Sequence, residues 1–393
     1  MNIKWMRWID QHVGSIIATP LSLFIKSSET LPDKSIKNIV VSKYFGLGSI
    51  TLSTPLLQSI RARFPHAKIH FLTFRENAGL LELYPFIDEV IAIRQDSIPH
   101  FITDTLGIIF RLLRKKIDLF IDVEFFSHYS ALIALMTGSR YRVGFHSSLL
   151  PRGKLLTHRV RFNPQRYITE AFSELGRNIG AKKEFPLYEP DLEANHDRIL
   201  EWLSGHGVKE YEFIAINTKG SDLLGVLNQW PDKKWRELIT RIVREKKLNV
   251  ILTGVKSDRR DINKIIKPLP PEIKGSVFNS AGEFNFHEFL SVIHGAKLLI
   301  TVDSGPLHLA QSLGIPCVAM FGPDNPVLYG PRGEMNRTEY LGLYCSPCYN
   351  VLEGKRAECK NKDYNICMKK IDVDSVWNDF VDLLDQLKKN GSA

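Results

Sequence analysis

The sequence predicts an α/β protein whose two halves are each built on a doubly wound parallel sheet. Short apolar runs alternate with amphipathic helical stretches, as in βαβ units around a parallel sheet. This alternation stops at a charged, irregular segment at about 182–212 and then begins again. The chain of 393 residues is also long enough for two domains, at roughly 100–200 residues each. We therefore expect two domains facing across a crevice that holds the binding site.

The first half contains four predicted strands, which cover residues 39–43, 68–73, 89–93 and 119–123. Each is rich in β-branched and other apolar residues, as expected of strands that are buried on both faces of a parallel sheet. A turn at Gly46-Leu47-Gly48 follows the first strand, and a helix is predicted at about 54–64.

The same pattern predicts four strands in the second half, at 213–217, 249–253, 298–302 and 316–321. Helices are predicted at 235–245 and 286–294, and residues 373–388 have the pattern of an amphipathic helix that packs back on the domains. The predicted organisation is an N-terminal extension, two domains, and a C-terminal helix with its tail: 1–35, 36–190, 191–372 and 373–393.

The composition is that of a folded protein with a mild basic excess. With 44% hydrophobic and 24% charged residues, the chain is neither disordered nor fibrous. The net charge of +9 is too small to indicate nucleic acid, and it equally suits anionic lipid, nucleotide phosphates or a sugar phosphate. The uncharged stretch at 11–25 contains Pro20 and is shorter than a bilayer span of ~20 residues, so we predict no transmembrane helix.

Two segments with apolar and basic residues are candidates for contact with a membrane surface. The first combines aromatic, aliphatic and basic side chains: Lys4, Trp5, Met6, Arg7, Trp8, Ile16, Ile17, Leu21, Leu23, Phe24 and Lys26. Such a helix either lies in a membrane interface or packs on its own domain. The second, the predicted helix at 101–116, ends in four bases from Arg111 to Lys116. These bases can favour the helix C-terminus, remain solvated, or bind the phosphates of an acidic glycolipid.

The most informative segment is 301–331, TVDSGPLHLAQSLGIPCVAMFGPDNPVLYGP. A strand ends there and turns at 303–306 into a helix, whose start offers free backbone N–H groups, a positive dipole end and a hydroxyl to an anion. Gly305 allows a diphosphate to approach the backbone closely. The acid and the serine of this turn can instead form a plain N-cap, and His308 can be a structural histidine.

The order D-S-G-P-x-H-x-A, then G-x-P-x-x-x-x-F-G-P and Y-G-P, resembles the C-terminal signature of glycosyltransferase family 9, the heptosyltransferase family. The resemblance covers roughly residues 36–372 and includes four further segments: 37–65, 118–145, 217–235 and 252–258. It implies a GT-B architecture of two Rossmann-like domains. The acceptor would bind the domain at 36–190 and the donor would bind the domain at 191–372.

The activity that this resemblance implies is sugar transfer from a nucleotide donor, typically ADP-heptose, to an anionic lipid-linked saccharide in lipopolysaccharide assembly. Inverting displacement of this kind requires no cofactor for the transfer itself. The implied location is cytoplasmic, at the inner face of the cytoplasmic membrane, with a membrane surface and no nucleic acid as partner. The alternative is a degenerate relative that binds a nucleotide-sugar or glycan without catalysis.

The resemblance also implies roles for residues of the second half. Ser304, Gly305 and Pro306 would face the donor diphosphate, with Asp303 and His308 beside it.

Two neighbouring loops complete the implied donor site. Thr218 and Lys219 would contact phosphate, and Asp258 would meet the ribose. Lys219 is equally well explained as a solvated loop lysine, and Asp258 as a surface carboxylate.

The sequence departs from the family pattern at two positions. Family members usually carry an aspartate in the first glycine turn that looks like the base for the acceptor hydroxyl, and Ser49 stands there. A serine without a partner is no general base near neutral pH. The family often has a lysine before its W-P element, and Asn228 and Gln229 precede Trp230 instead.

Nearby charged residues are candidates to replace the missing groups. Asp122 and Glu124 follow each other at the end of a strand and would point to the same side. Asp122 is a candidate base or, alternatively, a hydrogen-bonding residue. Lys219 or Lys43 is a candidate for the absent positive charge. Alternatively, the family reaction has been lost.

Four of the five cysteines crowd into the segment 345–367, with the spacing C-x2-C-x10-C-x7-C: Cys345, Cys348, Cys359 and Cys367. Four thiolates at these spacings can hold a structural zinc ion, and two disulfides or free packed thiols are the alternatives. Cys317 lies in an apolar strand and is predicted to be a core thiol.

Overall fold

The computed structural model describes residues 8–28, 30, 32–33, 35–147, 150–192, 196–220, 224–350 and 358–391, and within them the strands form two six-stranded sheets. All the strand pairs are parallel. The chain divides into two compact units between Tyr188 and Glu189. The predicted fold class, α/β with two doubly wound parallel sheets, is confirmed.

The first unit carries its sheet in the order β3-β2-β1-β4-β5-β6. Its strands are β1 (Asn38–Ser42), β2 (Lys68–Phe74), β3 (Glu89–Ile93), β4 (Leu119–Asp122), β5 (Tyr141–His146) and β6 (His158–Arg161). Its helices are α1 (Ser15–Leu21), α2 (Leu47–Leu52), α3 (Thr54–Arg63), α4 (Ala78–Leu81), α5 (Ile98–Lys115), α6 (His128–Met136) and α7 (Ile168–Arg177).

The second unit repeats this arrangement, with the sheet order β12-β11-β10-β7-β8-β9. Its strands are β7 (Phe213–Asn217), β8 (Asn249–Thr253), β9 (Val277–Asn279), β10 (Leu298–Val302), β11 (Cys317–Phe321) and β12 (Asn336–Tyr340). Its helices are α8 (His196–Gly205), α9 (Asp232–Arg241), α10 (Arg259–Ile266), α11 (Pro271–Lys274), α12 (Phe286–His294), α13 (Gly305–Ser312), α14 (Pro326–Tyr329), α15 (Ile366–Lys370) and α16 (Val373–Lys389).

All eight predicted strands are present, and β5, β6, β9 and β12 are additional. β5 overlaps the family-like segment 118–145, where only the strand at 119–123 is predicted. β9 has only three residues, while β6 and β12 are sheet-edge strands with polar side chains. Such edge strands lack the continuous apolar run that marks a buried strand.

In each sheet the strand order reverses beside the first strand, between β1 and β4 and again between β7 and β10. At such a switch point the loops leaving the two strands diverge on opposite sides of the sheet, and ligands of doubly wound folds bind there. The residues that follow these four strands are therefore the first candidates for function.

The C-terminal helix α16 completes the core of the second unit. Its apolar face includes Trp377, Phe380 and Leu383, which pack with the buried strand residues of that unit. Just before the helix, the Ile371 carbonyl oxygen accepts hydrogen bonds from Trp230 Nε1 (3.1 Å) and Lys234 Nζ (2.5 Å). The helix therefore packs on the second unit.

The N-terminal extension packs on the first unit. The Asp10 carboxylate accepts hydrogen bonds from the backbone N–H groups of His128 (3.1 Å) and Tyr129 (2.6 Å) at the start of α6. A Cβ on Gly14 would lie 2.7 Å from His128 Cβ, so this close approach needs glycine. Ala18 is fully buried. The predicted basic and aromatic residues Lys4, Trp5, Met6 and Arg7 lie outside the described residues. None of the described helices is long and apolar enough to cross a bilayer.

Candidate functional site

The predicted donor residues meet at the switch point of the second sheet. Thr218 and Lys219 directly follow β7, and Asp303 and Ser304 directly follow β10, its neighbour. Asp258 comes shortly after β8, on the other side of β7. Parallel pairing brings the carboxyl ends of these strands to one edge, so residues that are far apart in sequence share one site.

Ser304 stands at the N-cap position of α13 without capping it. Its backbone is extended (φ −157°, ψ 165°), and its side chain makes no capping hydrogen bond. Its hydroxyl instead lies 2.9 Å from Thr301 Oγ1. The alternative of a plain N-cap is therefore not what the structure shows. Because Pro306 has no N–H, Gly305 and Leu307 carry the backbone donors of the first turn, where an anion is favoured.

Asn228 braces the two loops at this switch point. Its Nδ2 donates a hydrogen bond to the Asp303 carbonyl oxygen (2.7 Å), and its side chain is fully buried. A Cβ on Gly220 would lie 2.4 Å from that same Nδ2, so the loop after β7 can approach only as glycine. At the position where the family often carries a lysine, the structure thus places an amide that fixes the site's backbone.

Lys219 and Asp258 form a salt bridge with each other. The Lys219 ammonium lies 2.9 Å from Asp258 Oδ1 and 2.8 Å from Asp261 Oδ2. Burial disfavours the charged ammonium, but the hydrogen bonds that it donates to the carboxylates of Asp261 and Asp258 outweigh burial and raise the pKa of Lys219. The same contact with Lys219 lowers the pKa of Asp261 to about 2. Sequence reasoning missed Asp261. It lies in the first turn of α10, and in the sequence it looks like an ordinary surface carboxylate.

Asp303 forms a carboxyl pair with Asp324, which follows β11. Both side chains are buried, they are hydrogen-bonded to each other, and no described cation pairs with either. Burial raises the pKa of Asp303 to about 7, and burial together with the Asp303 charge raises the pKa of Asp324. Two such groups cannot both ionise readily, so they share one proton near neutral pH. Sequence reasoning missed Asp324, although it lies within the quoted 301–331 segment.

His308 lies one turn into α13 and is buried. Its Nδ1 is 3.3 Å from Gln311 Oε1. Burial lowers the pKa of His308 to about 4, so the imidazole is neutral at physiological pH. It can exchange a hydrogen bond with a ligand and brings no positive charge to the site.

At the switch point of the first sheet, Ser49 has no partner that would make it a base. It lies in the first turn of α2, after Gly46, whose φ of 87° requires glycine. The side chain is half-buried. Among the described residues no histidine, lysine or carboxylate contacts the Ser49 hydroxyl.

Asp122 occupies a position unsuited to a base. It is fully buried and forms an ion pair with Arg152, which is fully buried as well. Its carboxylate also accepts hydrogen bonds from Ser42 Oγ (3.1 Å) and Ser130 Oγ (2.7 Å). The Glu124 backbone N–H is its fourth partner (3.1 Å). A carboxylate held by four groups and closed to solvent cannot reach a substrate hydroxyl. The contacts favour the alternative interpretation of Asp122 as a hydrogen-bonding residue.

Glu124 and Lys43, the other candidate replacements, form a buried ion pair of 3.1 Å. The Glu124 carboxylate also accepts hydrogen bonds from the backbone N–H groups of Tyr44 (2.6 Å) and Phe45 (3.0 Å). Both charges therefore hold the turn that follows β1, and neither is available to a ligand.

The four clustered cysteines are free thiols in this structure, so the predicted disulfide alternative is not formed. Burial, together with the neighbouring thiolates of Cys367, Cys359 and Cys345, raises the pKa of Cys348 to about 11, which places the four groups near one another. In the described part of the chain, no three His, Cys, Asp or Glu side chains converge as a metal site. Cys317 is buried in β11, as predicted.

Comparison with known proteins supports the interpretation of these motifs. Residues 108–359 match the model of glycosyltransferase family 9 (heptosyltransferase). Lipopolysaccharide heptosyltransferase 2 of Salmonella typhimurium is 24% identical over 297 residues, covering 74% of this chain and 84% of the relative.

Two solved structures share the fold over their whole length. The family 9 glycosyltransferase of Veillonella parvula has a TM-score of 0.77 at 21% identity and covers 91% of this chain and 100% of its own. The ADP-heptose lipopolysaccharide heptosyltransferase II of Escherichia coli has a TM-score of 0.71 at 22% identity, covering 90% and 100%. The GT-B architecture implied by the sequence is confirmed by these neighbours.

The buried pair of Asp122 and Arg152 predicts a large effect on stability. We expect Asp122→Asn to lower the free energy of unfolding by about 3 kcal/mol, because Arg152 keeps its charge and loses its partner. Urea unfolding followed by circular dichroism measures this. The matched control is Asp33→Asn, which removes an exposed carboxylate whose hydrogen-bond partner among the described residues is Ser35. Equal unfolding curves for the two variants would contradict the structural role.

The carboxyl pair predicts a pH-dependent stability. The pKa of Asp303 is about 7 in the folded protein and about 3.9 in the unfolded chain. The protonated Asp303 carboxyl therefore contributes its full stabilisation of the folded protein below pH ~4, and this contribution is lost as the pH rises through 7. Asp324→Asn removes the second buried carboxyl group, whose pKa burial and the Asp303 charge also raise. Between pH 5 and pH 8 the variant should therefore lose at least ~1 kcal/mol less stability than the wild type.

Thermal unfolding at the two pH values measures this difference. Asp197→Asn, which changes an exposed carboxylate of the same unit, should behave as the wild type. A parallel loss of stability in wild type and Asp324→Asn would show that the two carboxyl groups do not share a proton.

Proposed function

Because the chain belongs to glycosyltransferase family 9, the heptosyltransferase family, we propose that it transfers a sugar, with heptose as the first candidate, from a nucleotide-sugar to a lipid-linked saccharide. The observation that carries the proposal is the uncapped start of α13 at the switch point between β7 and β10. Backbone donors at a helix start, in a doubly wound sheet, are suited to a diphosphate. ADP-heptose is the first candidate donor, since the E. coli structural neighbour is described as an ADP-heptose transferase.

In this proposal the donor diphosphate binds at Ser304 and Gly305, with Thr218 and Lys219 on the neighbouring strand end. Lys219 follows β7 at this edge, and it would share its charge between phosphate and its two carboxylate partners. Asp258, held beside Lys219, is placed to accept hydrogen bonds from ribose hydroxyls. Leaving-group charge would be stabilised by preorganised donors, without a metal ion in the transfer step.

The sugar would meet the Asp303–Asp324 pair. A carboxyl pair that shares one proton offers both a hydrogen-bond donor and acceptors, which suits the vicinal hydroxyls of a sugar. Because the pair is buried and unpaired with any described cation, an uncharged polyol suits it better than a second anion.

The acceptor in this proposal is an anionic saccharide carried on a lipid. The name of the Salmonella relative, lipopolysaccharide heptosyltransferase 2, supports this choice. We place the reaction in the cytoplasm, at the inner face of the cytoplasmic membrane, where a protein without a described membrane-spanning helix would meet a lipid-linked substrate at the surface.

A second function, binding of a nucleotide-sugar or glycan without transfer, is favoured by one specific observation. Ser49 replaces the carboxylate expected in the glycine turn, and the two carboxylates of the neighbouring strand end, Asp122 and Glu124, are both held in buried ion pairs. A transferase that activates the acceptor hydroxyl by general-base catalysis needs a free base at about hydrogen-bond distance.

One experiment separates the two functions. Binding of ADP-heptose, UDP-glucose and GDP-mannose is measured by calorimetry, and sugar transfer to truncated lipopolysaccharide is followed by mass spectrometry. We expect Lys219→Ala to weaken donor binding by about tenfold, because a charge-assisted contact to phosphate is lost. Lys267→Ala, an exposed lysine of the same unit, should not weaken it.

The outcomes are distinct. Transfer by the wild type supports the enzyme, and a faster reaction in Ser49→Asp would place the base in the glycine turn. Donor binding without transfer across the panel supports the binding function. Absence of nucleotide-sugar binding overturns the transferase, and absence of binding to both the nucleotide-sugars and the lipopolysaccharide overturns both functions.

We also propose that Cys345, Cys348, Cys359 and Cys367 hold a structural zinc ion. Burial and the neighbouring thiolates raise the pKa of Cys348 and of Cys367, and a divalent cation would offset both effects. Four thiolates suit zinc, whose binding would draw together side chains that do not converge as a metal site in the described part of the chain. Such an ion would fix the segment 345–367 and take no part in transfer.

Elemental analysis of the purified protein tests this site. We expect about one zinc ion per chain, lost in Cys348→Ser and retained in Cys317→Ala, which changes the cysteine outside the cluster. Metal-free protein with four reactive thiols, or with two disulfides, would overturn the proposal.

A further inference from the structure

We propose that the first unit binds an anionic lipid surface through an apolar face formed by residues 8–24, helix α5 and the last turn of α6. This inference rests on the proposed function only for the choice of a lipid as the occupant. It assigns the surface, which nothing in the family resemblance specifies.

The apolar face collects the exposed large hydrophobic side chains of the first unit. Every such side chain among the unit's described residues lies in these three elements: Trp8, Val13, Ile16, Ile17, Leu21, Leu23, Phe24, Ile98, Ile102, Leu106, Phe110, Leu113 and Met136. The most exposed are Ile16 (74%), Leu23 (79%) and Phe24 (82%). Scattered exposed apolar residues are normal, but this concentration in neighbouring elements is typical of an interaction surface.

Helix α5 has two apolar sides, one buried against the first unit and one exposed. Ile108, Ile109 and Leu112 face the core of the first unit. The exposed residues recur at 98, 102, 106, 110 and 113, which is the spacing of one helical stripe. Packing of α5 on the core of the first unit does not require this second, exposed apolar stripe.

The three elements are neighbours because α6 contacts the other two. On one side, Asp10 caps the start of α6 and Gly14 packs on His128. On the other side, the Tyr129 ring lies 5.2 Å from the Phe101 ring of α5, and the Tyr129 hydroxyl is 2.8 Å from Thr105 Oγ1. The extension is therefore fixed to the unit by its inner side while its outer side stays apolar.

The charges beside the apolar face indicate which occupant it takes. Arg114 and Lys116 end α5, and Lys26 follows α1; none of the three has a carboxylate partner among the described residues. The Arg114 guanidinium also lies over the Phe110 ring, 4.1 Å from its centroid. Cations and aromatic rings bordering an apolar surface suit the headgroup level of an anionic membrane. A second copy of the same face would instead bring like charges together.

Vesicle flotation tests the proposal with the full chain and without donor or acceptor. Binding to vesicles of phosphatidylcholine with about 30 mol% phosphatidylglycerol, which mimic an anionic membrane, is compared with binding to vesicles of phosphatidylcholine alone. We expect binding to the anionic vesicles that weakens with salt. The double variants Leu23→Glu/Phe24→Glu and Leu106→Glu/Phe110→Glu should each weaken it by about tenfold.

Because all four positions are exposed, the variants should fold, and circular dichroism checks this. Leu200→Glu, which changes an exposed leucine of α8 in the second unit (39%), is the control and should bind as the wild type. The double variant Arg114→Gln/Lys116→Gln should reduce binding to the anionic vesicles and leave any binding to phosphatidylcholine vesicles unchanged.

Two results would overturn the inference: no binding by the wild type, or equal binding by wild type and both glutamate variants. A wild-type dimer in light scattering that the glutamate variants convert to monomer, without vesicle binding, would assign the face to a second copy. If the protein binds the vesicles but no nucleotide-sugar, the proposed function is overturned and this inference is still supported.

Discussion

Parallel strand pairing around a central first strand is the constraint on which both units depend. In each sheet the chain fills one side of that strand and then crosses to the other, so the loops leaving β1 and β4, or β7 and β10, separate at the same edge. The strands themselves are buried on both faces. Polar groups that do chemistry are therefore confined to these edges, and each edge must satisfy the backbone and side-chain groups that its loops leave behind.

The two units meet this requirement with different residue types. In the first unit, two carboxylates are neutralised by buried cations, Asp122 by Arg152 and Glu124 by Lys43, so neither carboxylate is free to act as a base. In the second unit the buried amide of Asn228 holds the loops together. An amide needs no counter-ion, so the helix start and the carboxyl pair remain available for a ligand. We therefore assign the proposed nucleotide-sugar site to the second unit.

The net positive charge has a similar local meaning. Several cations are already paired with carboxylates of the same chain. They are Lys43 and Arg152 in the first unit, Lys219 at the proposed donor site, and Arg111, which pairs with Glu89. The charge that remains beside the apolar face belongs to Arg114, Lys116 and Lys26. A total of +9 could serve any polyanion, but cations placed beside exposed aliphatic side chains favour a lipid surface over nucleic acid.

The sequence alone determined the fold class, because buried parallel strands have a recognisable apolar pattern. The family resemblance named Thr218, Lys219, Asp303 and Ser304 as donor-site candidates, and they share one sheet edge because each follows one of two paired parallel strands. Only the tertiary structure decided which side chains pair. Asp122 with Arg152, Lys219 with Asp258, and Asp303 with Asp324 are separated by 30, 39 and 21 positions in the sequence. Such pairing depends on how each loop folds back over the sheet edge, which local residue patterns do not encode. The short or polar strands β6, β9 and β12 escaped prediction for a related reason, since an edge strand is specified by its neighbour's hydrogen bonds more than by its own side chains.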